Sequence, residues 1–221
     1  LGPGAGRLAA RACVRVAASL PPGSRPARAS SGGRMAAALE DGRGDRWLFT
    51  LEALAQAREA GRDRALQALR RAAAEDARAG AADGAGAGEG EQLRPLSHEE
   101  SAQLVSAHAS QLLDLCGRCG APAEVLWAAL VFYRRFFAVR SPMEFDPLLL
   151  MLACVHLACK TEEVHEITLD GLLEAGDFGD DDRVRGKVVG LELPLLEGIG
   201  FALLVEPKPS PALRMLVEEL Q

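Results

Sequence analysis

The sequence predicts an all-α protein, and three features of its 221 residues indicate that class. Leu and Ala, which favour helices, dominate an apolar fraction of 48%, whereas aromatic residues make up only 5%. Apolar residues recur at helical spacing through residues 97–200, and two segments there are apolar on nearly every side. Strands do not alternate with helices, which excludes the doubly wound α/β folds.

The first segment, residues 1–45, is expected to be a disordered leader or a transit-like segment. Residues 1–34 contain six arginines and no acidic residue, a pattern typical of an organellar transit peptide. The alternative is a translated leader ahead of Met35. The residues beyond Glu40 favour this second interpretation.

An N-terminal helix is predicted within residues 46–79. Thr50 can cap it, and a few large apolar side chains follow as far as about Arg78. Gly61 lowers the helix propensity of this stretch. Residues 80–92 are rich in Gly and Ala and poor in large side chains, so we expect a flexible linker there.

Five further helices are predicted within residues 93–201. The first begins at Ser97, because Ser97 and Glu100 have the spacing of a capping box. The second opens at Pro122, which is acceptable in a first turn, and runs to about Val139.

The third of these helices starts at Asp146, a good N-cap residue followed by a proline, and continues to about Glu163. A short helix follows at 168–174, and a last long helix at about 183–199. Pro194 interrupts that last helix at an estimated cost of about 3 kcal/mol in an ideal helix. We predict a kink there rather than a break.

The charged end of the third helix is the least expected feature. Lys160 suits a helix C-terminus, but Glu162 and Glu163 oppose the helix dipole by about 0.3–1 kcal/mol each. Paired acids at this position need a partner or solvent. They indicate either a charged contact with another protein or a solvated helix end.

The sequence contains no convincing pattern of catalytic or metal-binding residues. Cys116 and Cys119 have C-x-x-C spacing and His108 can share their face, but no second such pair follows. Small buried apolar residues are the simpler interpretation, so neither a metal nor another cofactor is expected. His156 is predicted to be a hydrogen-bonded core histidine. No Ser or Cys is placed for a catalytic triad, so an enzyme is not expected.

Composition also limits the environment and the partners. The formal net charge of −6 argues against direct nucleic-acid binding, which needs a concentrated basic face. The longest apolar run, residues 148–159, is shorter than the roughly 20 residues of a membrane-spanning helix. Five cysteines without regular spacing indicate a reducing compartment rather than a disulfide framework.

Two segments in the middle of the chain carry distinctive motifs. Residues 130–137 read L-V-F-Y-R-R-F-F; residues 141–147 read S-P-M-E-F-D-P, followed by M-L-A-C-V-H-L-A-C-K at 151–160. Together these segments resemble the cyclin box, and they are most similar to the cyclin H type. Residues 47–50, which read W-L-F-T, also resemble the start of the N-terminal helix of that family. The resemblance implies a cyclin-box five-helix bundle over 93–201, with the N-terminal helix before it and the start of a truncated second cyclin box at 202–221.

The resemblance also implies a function and a site. In cyclins, residues matching Lys160 and Glu192 form an ionic pair that grips a kinase, and residues matching Leu157, Phe201 and Leu203 lie in the kinase-facing groove. The implied partners are a cyclin-dependent kinase, the assembly-factor subunit of the CDK-activating kinase, and the TFIIH core. The implied location is the nucleus, and the implied role is the regulation of transcription and the cell cycle.

Two other classes of function stay open at the level of sequence. One is a cyclin-box adaptor in transcription that activates no kinase, as in TFIIB-like proteins; it predicts a basic face and salt-dependent DNA affinity. The other is an organellar metalloprotein or enzyme built on the C-x-x-C motif, which requires both import through residues 1–34 and bound zinc. The acidic net charge disfavours the first.

Overall fold

The computed structural model describes residues 47–83, 94–179, 181–206 and 208. It contains two compact units, Leu1–Pro95 and Leu96–Gln221. The helices in the described ranges are α1 (Leu51–Asp83), α2 (His98–Arg118), α3 (Ala123–Val139), α4 (Pro147–Thr161), α5 (Leu169–Ala175), α6 (Asp182–Gly190) and α7 (Glu192–Gly198). No strand occurs in those ranges. The predictions for residues 1–45, 84–92 and 209–221 fall outside the described residues.

The described part of the first unit is dominated by α1, which begins as predicted. The amide of Ala53 donates to Oγ1 of Thr50 over 3.1 Å, so the threonine caps the helix. The helix passes through Gly61 and ends at Asp83, beyond the predicted end at Arg78. The prediction of a flexible linker from residue 80 is therefore wrong for residues 80–83, where alanine, the strongest helix former, extends α1.

Helix α2 opens the second unit with the predicted capping box. The Glu100 amide donates to Oγ of Ser97 over 3.1 Å, and the Ser97 amide donates to Oε2 of Glu100 over 2.8 Å. The helix ends at Arg118, and the chain turns through Gly120 at a φ of +64°, a conformation that glycine adopts without strain. Pro122 then occupies the N-cap position of α3.

Helix α4 is the centre of the second unit, because it contacts α2, α3, α5, α6 and α7. The Leu148 amide donates to Oδ1 of Asp146 over 2.9 Å and caps the start of the helix, as predicted. Leu150, Leu152 and Cys154 are wholly buried, which explains why the sequence of this helix is apolar on all sides. The last helical residue is Thr161, two residues before the predicted end.

The predicted last helix at 183–199 is two helices, α6 and α7, which meet at Leu191. Pro194 has no N–H to donate to Gly190, and the division places this proline in the first turn of α7, where no such bond is needed. The expected kink without a break is therefore wrong, and the described residues from 97 to 206 form six helices rather than five. The predicted all-α bundle is confirmed.

Candidate partner-binding site

The site is built around an ion pair between Lys160, in the last turn of α4, and Glu192, the first residue of α7. The Lys160 Nζ lies 2.7 Å from Oε1 and 2.8 Å from Oε2 of Glu192, so one amine donates to both carboxylate oxygens. Each charge also suits its helix, because a cation stabilises a C-terminus and an anion an N-terminus. The division at Leu191 thus leaves Glu192 well placed to meet the lysine.

This ion pair is partly open to solvent, with 47% of the Lys160 side chain and 31% of the Glu192 side chain exposed. A pair of that kind contributes only about 0–1 kcal/mol to the stability of a folded chain. Its Coulombic attraction grows when another molecule covers it, while burial also costs desolvation, so such a pair mainly fixes the register and the choice of partner. The geometry therefore favours a role in binding over a role in folding.

His156 lies one helical turn before Lys160 and is half-buried. Its Nδ1 is buried and has no hydrogen-bond partner among the described residues, so the prediction of a hydrogen-bonded core histidine is wrong. Burial lowers the pKa of His156, the Lys160 charge lowers it further, and Glu192 opposes the shift. The imidazole is consequently held neutral next to the ion pair.

Exposed apolar side chains are concentrated after α6 begins. Four of the seven large hydrophobic residues that are exposed in the described ranges fall between positions 189 and 204. We call these four the apolar rim: Val189, Leu193, Phe201 and Leu204, which are 51%, 59%, 61% and 75% exposed. Exposed large apolar side chains are candidates for contact with a partner, because burial in a complex removes them from water.

The other predicted site residues differ in their placement. Phe201 is exposed. Its backbone φ is +56°, which is uncommon for a residue with so large a side chain. Leu203 is half-buried. Leu157 is only 4% exposed and belongs to the core beneath Lys160. The structure thus joins Lys160 to Glu192 directly and leaves Leu157 covered.

Sequence reasoning missed Val189, Leu193 and Leu204 as exposed apolar residues. The apolar stripe of the predicted last helix contains Val188, Leu195 and Ile199, which are buried, and Val184 and Leu191, which are half-buried. Val189 and Leu193 lie outside this stripe. An apolar residue out of register with the buried stripe of its own helix is the signal that could have found the first two.

The C-x-x-C motif forms neither a disulfide nor a metal site in the part of the chain that the structure describes. Burial raises the pKa of Cys116 to about 12 and that of Cys159 to about 11, and it also raises the pKa of Cys119. These thiols are therefore protonated near neutral pH, and a protonated thiol is a poor nucleophile and a poor metal ligand. Within the described ranges, no helix combines the length and the hydropathy needed to cross a bilayer.

Comparison with known proteins identifies a domain that covers this site. Residues 98–204 match the model of the cyclin N-terminal domain. Cyclin-H1-1 of Arabidopsis thaliana is 27% identical over 173 residues, which are 72% of this chain and 48% of the relative. Cyclin-H of Xenopus laevis is 32% identical over 125 residues, which are 55% of this chain and 38% of the relative.

The fold is also found among solved structures. A chain in the structure of the CAK complex from Chaetomium thermophilum bound to ATP-gamma-S matches with a TM-score of 0.62 and 22% identity; the match covers 85% of this chain and 54% of that chain. This level of identity establishes likeness of fold. The chain spans about half or less of the length of the curated relatives it matches.

Proposed function

Because this chain belongs to the cyclin family, we propose that it is a cyclin H-like regulatory subunit that binds and activates a cyclin-dependent kinase. The observation that carries the proposal is the partly exposed Lys160–Glu192 ion pair, in which Glu192 lies within the stretch of chain that contains the apolar rim. An exposed charge pair with apolar neighbours suits a partner helix that is apolar on one face and polar at its edge.

Activation follows from a requirement of kinase chemistry. A protein kinase is active when a lysine on its third strand pairs with a glutamate on its C-helix, and the C-helix must move inward for that pair to form. A regulatory subunit that binds only the inward arrangement shifts the population towards it. A nearly complete shift needs about 5.5 kcal/mol of differential binding, or roughly 10⁴-fold in affinity.

In the proposed complex, different residues of this chain supply the charged and the apolar contacts to the kinase. Lys160 and Glu192 fix the register through directional charge contacts, and Phe201 and Leu203 supply apolar contact, with Leu157 supporting them from the core. The covered apolar surface provides most of the binding energy, because hydrophobic burial is the dominant favourable term in association. The regulatory subunit contributes no catalytic group to the phosphoryl transfer.

We further propose the setting in which this subunit works. The relatives are named as cyclin H proteins, and a chain of similar fold occurs in a structure described as a CAK complex. Similarity of this kind supports a place in a CDK-activating kinase together with an assembly-factor subunit and the TFIIH core. The corresponding location is the nucleus, and the role is in transcription and cell-cycle control.

Reconstitution with a purified catalytic subunit of a CDK-activating kinase tests the proposal. We expect the two proteins to form a one-to-one complex in size-exclusion chromatography with light scattering. We also expect the complex to phosphorylate a peptide of the RNA polymerase II tail faster than the catalytic subunit alone. Absence of a complex at concentrations of about 10 µM, or a complex without any gain in activity, would contradict the proposal.

A further inference from the structure

The acidic end of α4 contains a contact that the proposed function does not use. Glu162 caps the C-terminus of α4, where a negative charge opposes the helix dipole. Its side chain is only 15% exposed, so solvation by water does not relieve that conflict. A half-buried carboxylate at such a position needs a cation nearby.

That cation is Lys208, 46 residues further along the chain. Its Nζ lies 2.5 Å from Oε2 of Glu162 and donates a hydrogen bond to it. The hydrogen bond to Glu162 also raises the pKa of Lys208, as expected for an amine that gains an anionic partner. The pair therefore connects the end of the central helix to the segment that follows α7.

A second anchor holds the beginning of the same segment. The Nη1 of Arg135, on α3, donates to the backbone carbonyl of Ala202 over 2.9 Å. Between the two anchors, Val205 is 5% exposed and packs into the bundle.

We name residues 202–206 together with Lys208 the strap. It is fixed at Ala202 by Arg135, at Val205 by burial and at Lys208 by Glu162. Leu203 and Leu204 lie between these fixed points. Leu203 is half-buried, and Leu204 is 75% exposed. Glu162 is also two residues from Lys160, so one turn of α4 holds both the strap and the Glu192 carboxylate.

We infer that Glu162 and Arg135 are positioning residues that hold the strap against the bundle, so that Leu203 and Leu204 are ordered before a kinase binds. The inference rests on the proposed function. A segment that is already ordered in the free protein loses less conformational entropy on binding, and its partner binds more tightly for that reason. Glu162 acts on the partner only through Lys208 and the strap.

Charge reversal and charge exchange test this inference on the full chain. Glu162→Lys and Lys208→Glu should each raise the Kd for the catalytic subunit about tenfold, since either change breaks the same anchor. The double variant with exchanged charges should return the Kd to within about threefold of wild type, because the ion pair forms again. Glu174→Lys, an exposed residue on α5 with the same change of charge, is the matched control.

Backbone ¹⁵N relaxation of the free protein gives a second readout that kinase binding does not influence. We expect order parameters at residues 203–206 to fall from the rigid value of about 0.85 towards 0.6 in both single variants, and to recover in the double variant. Both single variants should still unfold cooperatively, with a small loss of melting temperature that the double variant restores, which separates loss of strap order from loss of fold.

The outcomes distinguish this inference from the proposed function. If the wild-type protein binds the catalytic subunit and both single variants bind equally well, the strap inference is wrong and the proposed function stands. A double variant no better than the singles would also overturn it, since the loss would not come from this ion pair. If the wild-type protein binds no kinase, the proposed function and the inference fall together.

Discussion

The two ends of α4 differ in how their charged groups are satisfied. At the start, Asp146 accepts a hydrogen bond from an amide two residues away and is nearly buried. At the end, Lys160 pairs with Glu192 across 32 residues, and Glu162 pairs with Lys208 across 46. The charged group at the start is satisfied within its own helix. The charged groups at the end join segments that are distant in sequence, and the Lys160–Glu192 pair remains partly exposed to solvent.

We propose that this difference separates folding from binding along one helix. A short-range cap stabilises the helix in which it occurs and offers little to another molecule. Long-range pairs at an exposed edge contribute little to stability, but they fix the positions of groups that a partner can cover. Variants at the start of α4 should therefore change stability, and variants at its end should change affinity.

The largest effect is expected at the binding end. Lys160→Glu should raise the Kd for the catalytic subunit about 100-fold, or about 2.8 kcal/mol, because it places two carboxylates where an ion pair stood. The melting temperature should change little, since the pair is half-exposed. Isothermal calorimetry and differential scanning calorimetry measure the two quantities.

Arg118→Glu is the matched control for Lys160→Glu. It reverses the charge of another exposed ion pair, which Arg118 forms with Asp177 over 2.8 Å. Its Kd should equal that of wild type. An equal loss of affinity in both variants would mean that net charge, and not the end of α4, governs binding.

The next effect concerns how the core fixes α7, which carries Glu192. A Cβ at Gly198 would overlap the ring of Phe136, a wholly buried residue of α3. Gly198→Ala should therefore lower the free energy of unfolding by about 1–3 kcal/mol, the usual cost of overpacking. Urea denaturation followed by circular dichroism measures it.

Gly190→Ala serves as the control for that prediction, because nothing lies within 4 Å of a Cβ at this position. Alanine favours helix over glycine by up to about 1 kcal/mol, so this variant should match or exceed the stability of wild type. If both substitutions were neutral, the close contact between α7 and α3 would not exist in solution.

A smaller effect on stability is expected at the start of α4. Asp146→Ala removes the acceptor of the Leu148 amide and should cost about 1 kcal/mol in the free energy of unfolding. Asp146→Asn retains an acceptor and should cost less. Neither variant should change the Kd for the catalytic subunit. A change in Kd without a change in stability would contradict the proposal that the start of α4 affects stability and its end affects affinity.

The smallest effect is a dependence on pH at the binding end. Because the folded pKa of His156 is lowered from 6.5, the unfolded chain binds more protons than the folded chain below that pH. The contribution of this group to the free energy of unfolding is therefore complete above about pH 6.5 and is lost as the pH falls towards the folded pKa. His156→Gln should flatten the profile of urea unfolding against pH between about 5 and 7. An identical slope in the variant would show that another group causes the dependence.

The features that could be predicted from sequence are those whose partners are near in the chain. Thr50, Ser97 and Asp146 each cap a helix by accepting from an amide within three residues, and the local sequence pattern predicts each of them. The division at Leu191 was missed, because Pro194 permits both a kinked helix and two helices with the proline in a first turn.

The site could be predicted only in part, because its residues contact partners that are far away in the sequence. Lys160 and Glu192 were paired through resemblance to a family, since nothing local joins residues 32 positions apart. The bond from Arg135 to Ala202 spans 67 residues and left no sequence signal. The burial of Leu157 was also not evident, because a helix that is apolar on all sides does not indicate which face lies at the edge of the bundle.

Hydrogen exchange of the wild-type protein, with and without the catalytic subunit, tests most directly whether the end of α4 is the binding surface. We predict that binding slows exchange in peptides covering residues 157–163 and 189–206. Peptides covering residues 141–150, at the start of the same helix, should exchange at an unchanged rate. Protection at 141–150 without protection at the other two segments would contradict the account.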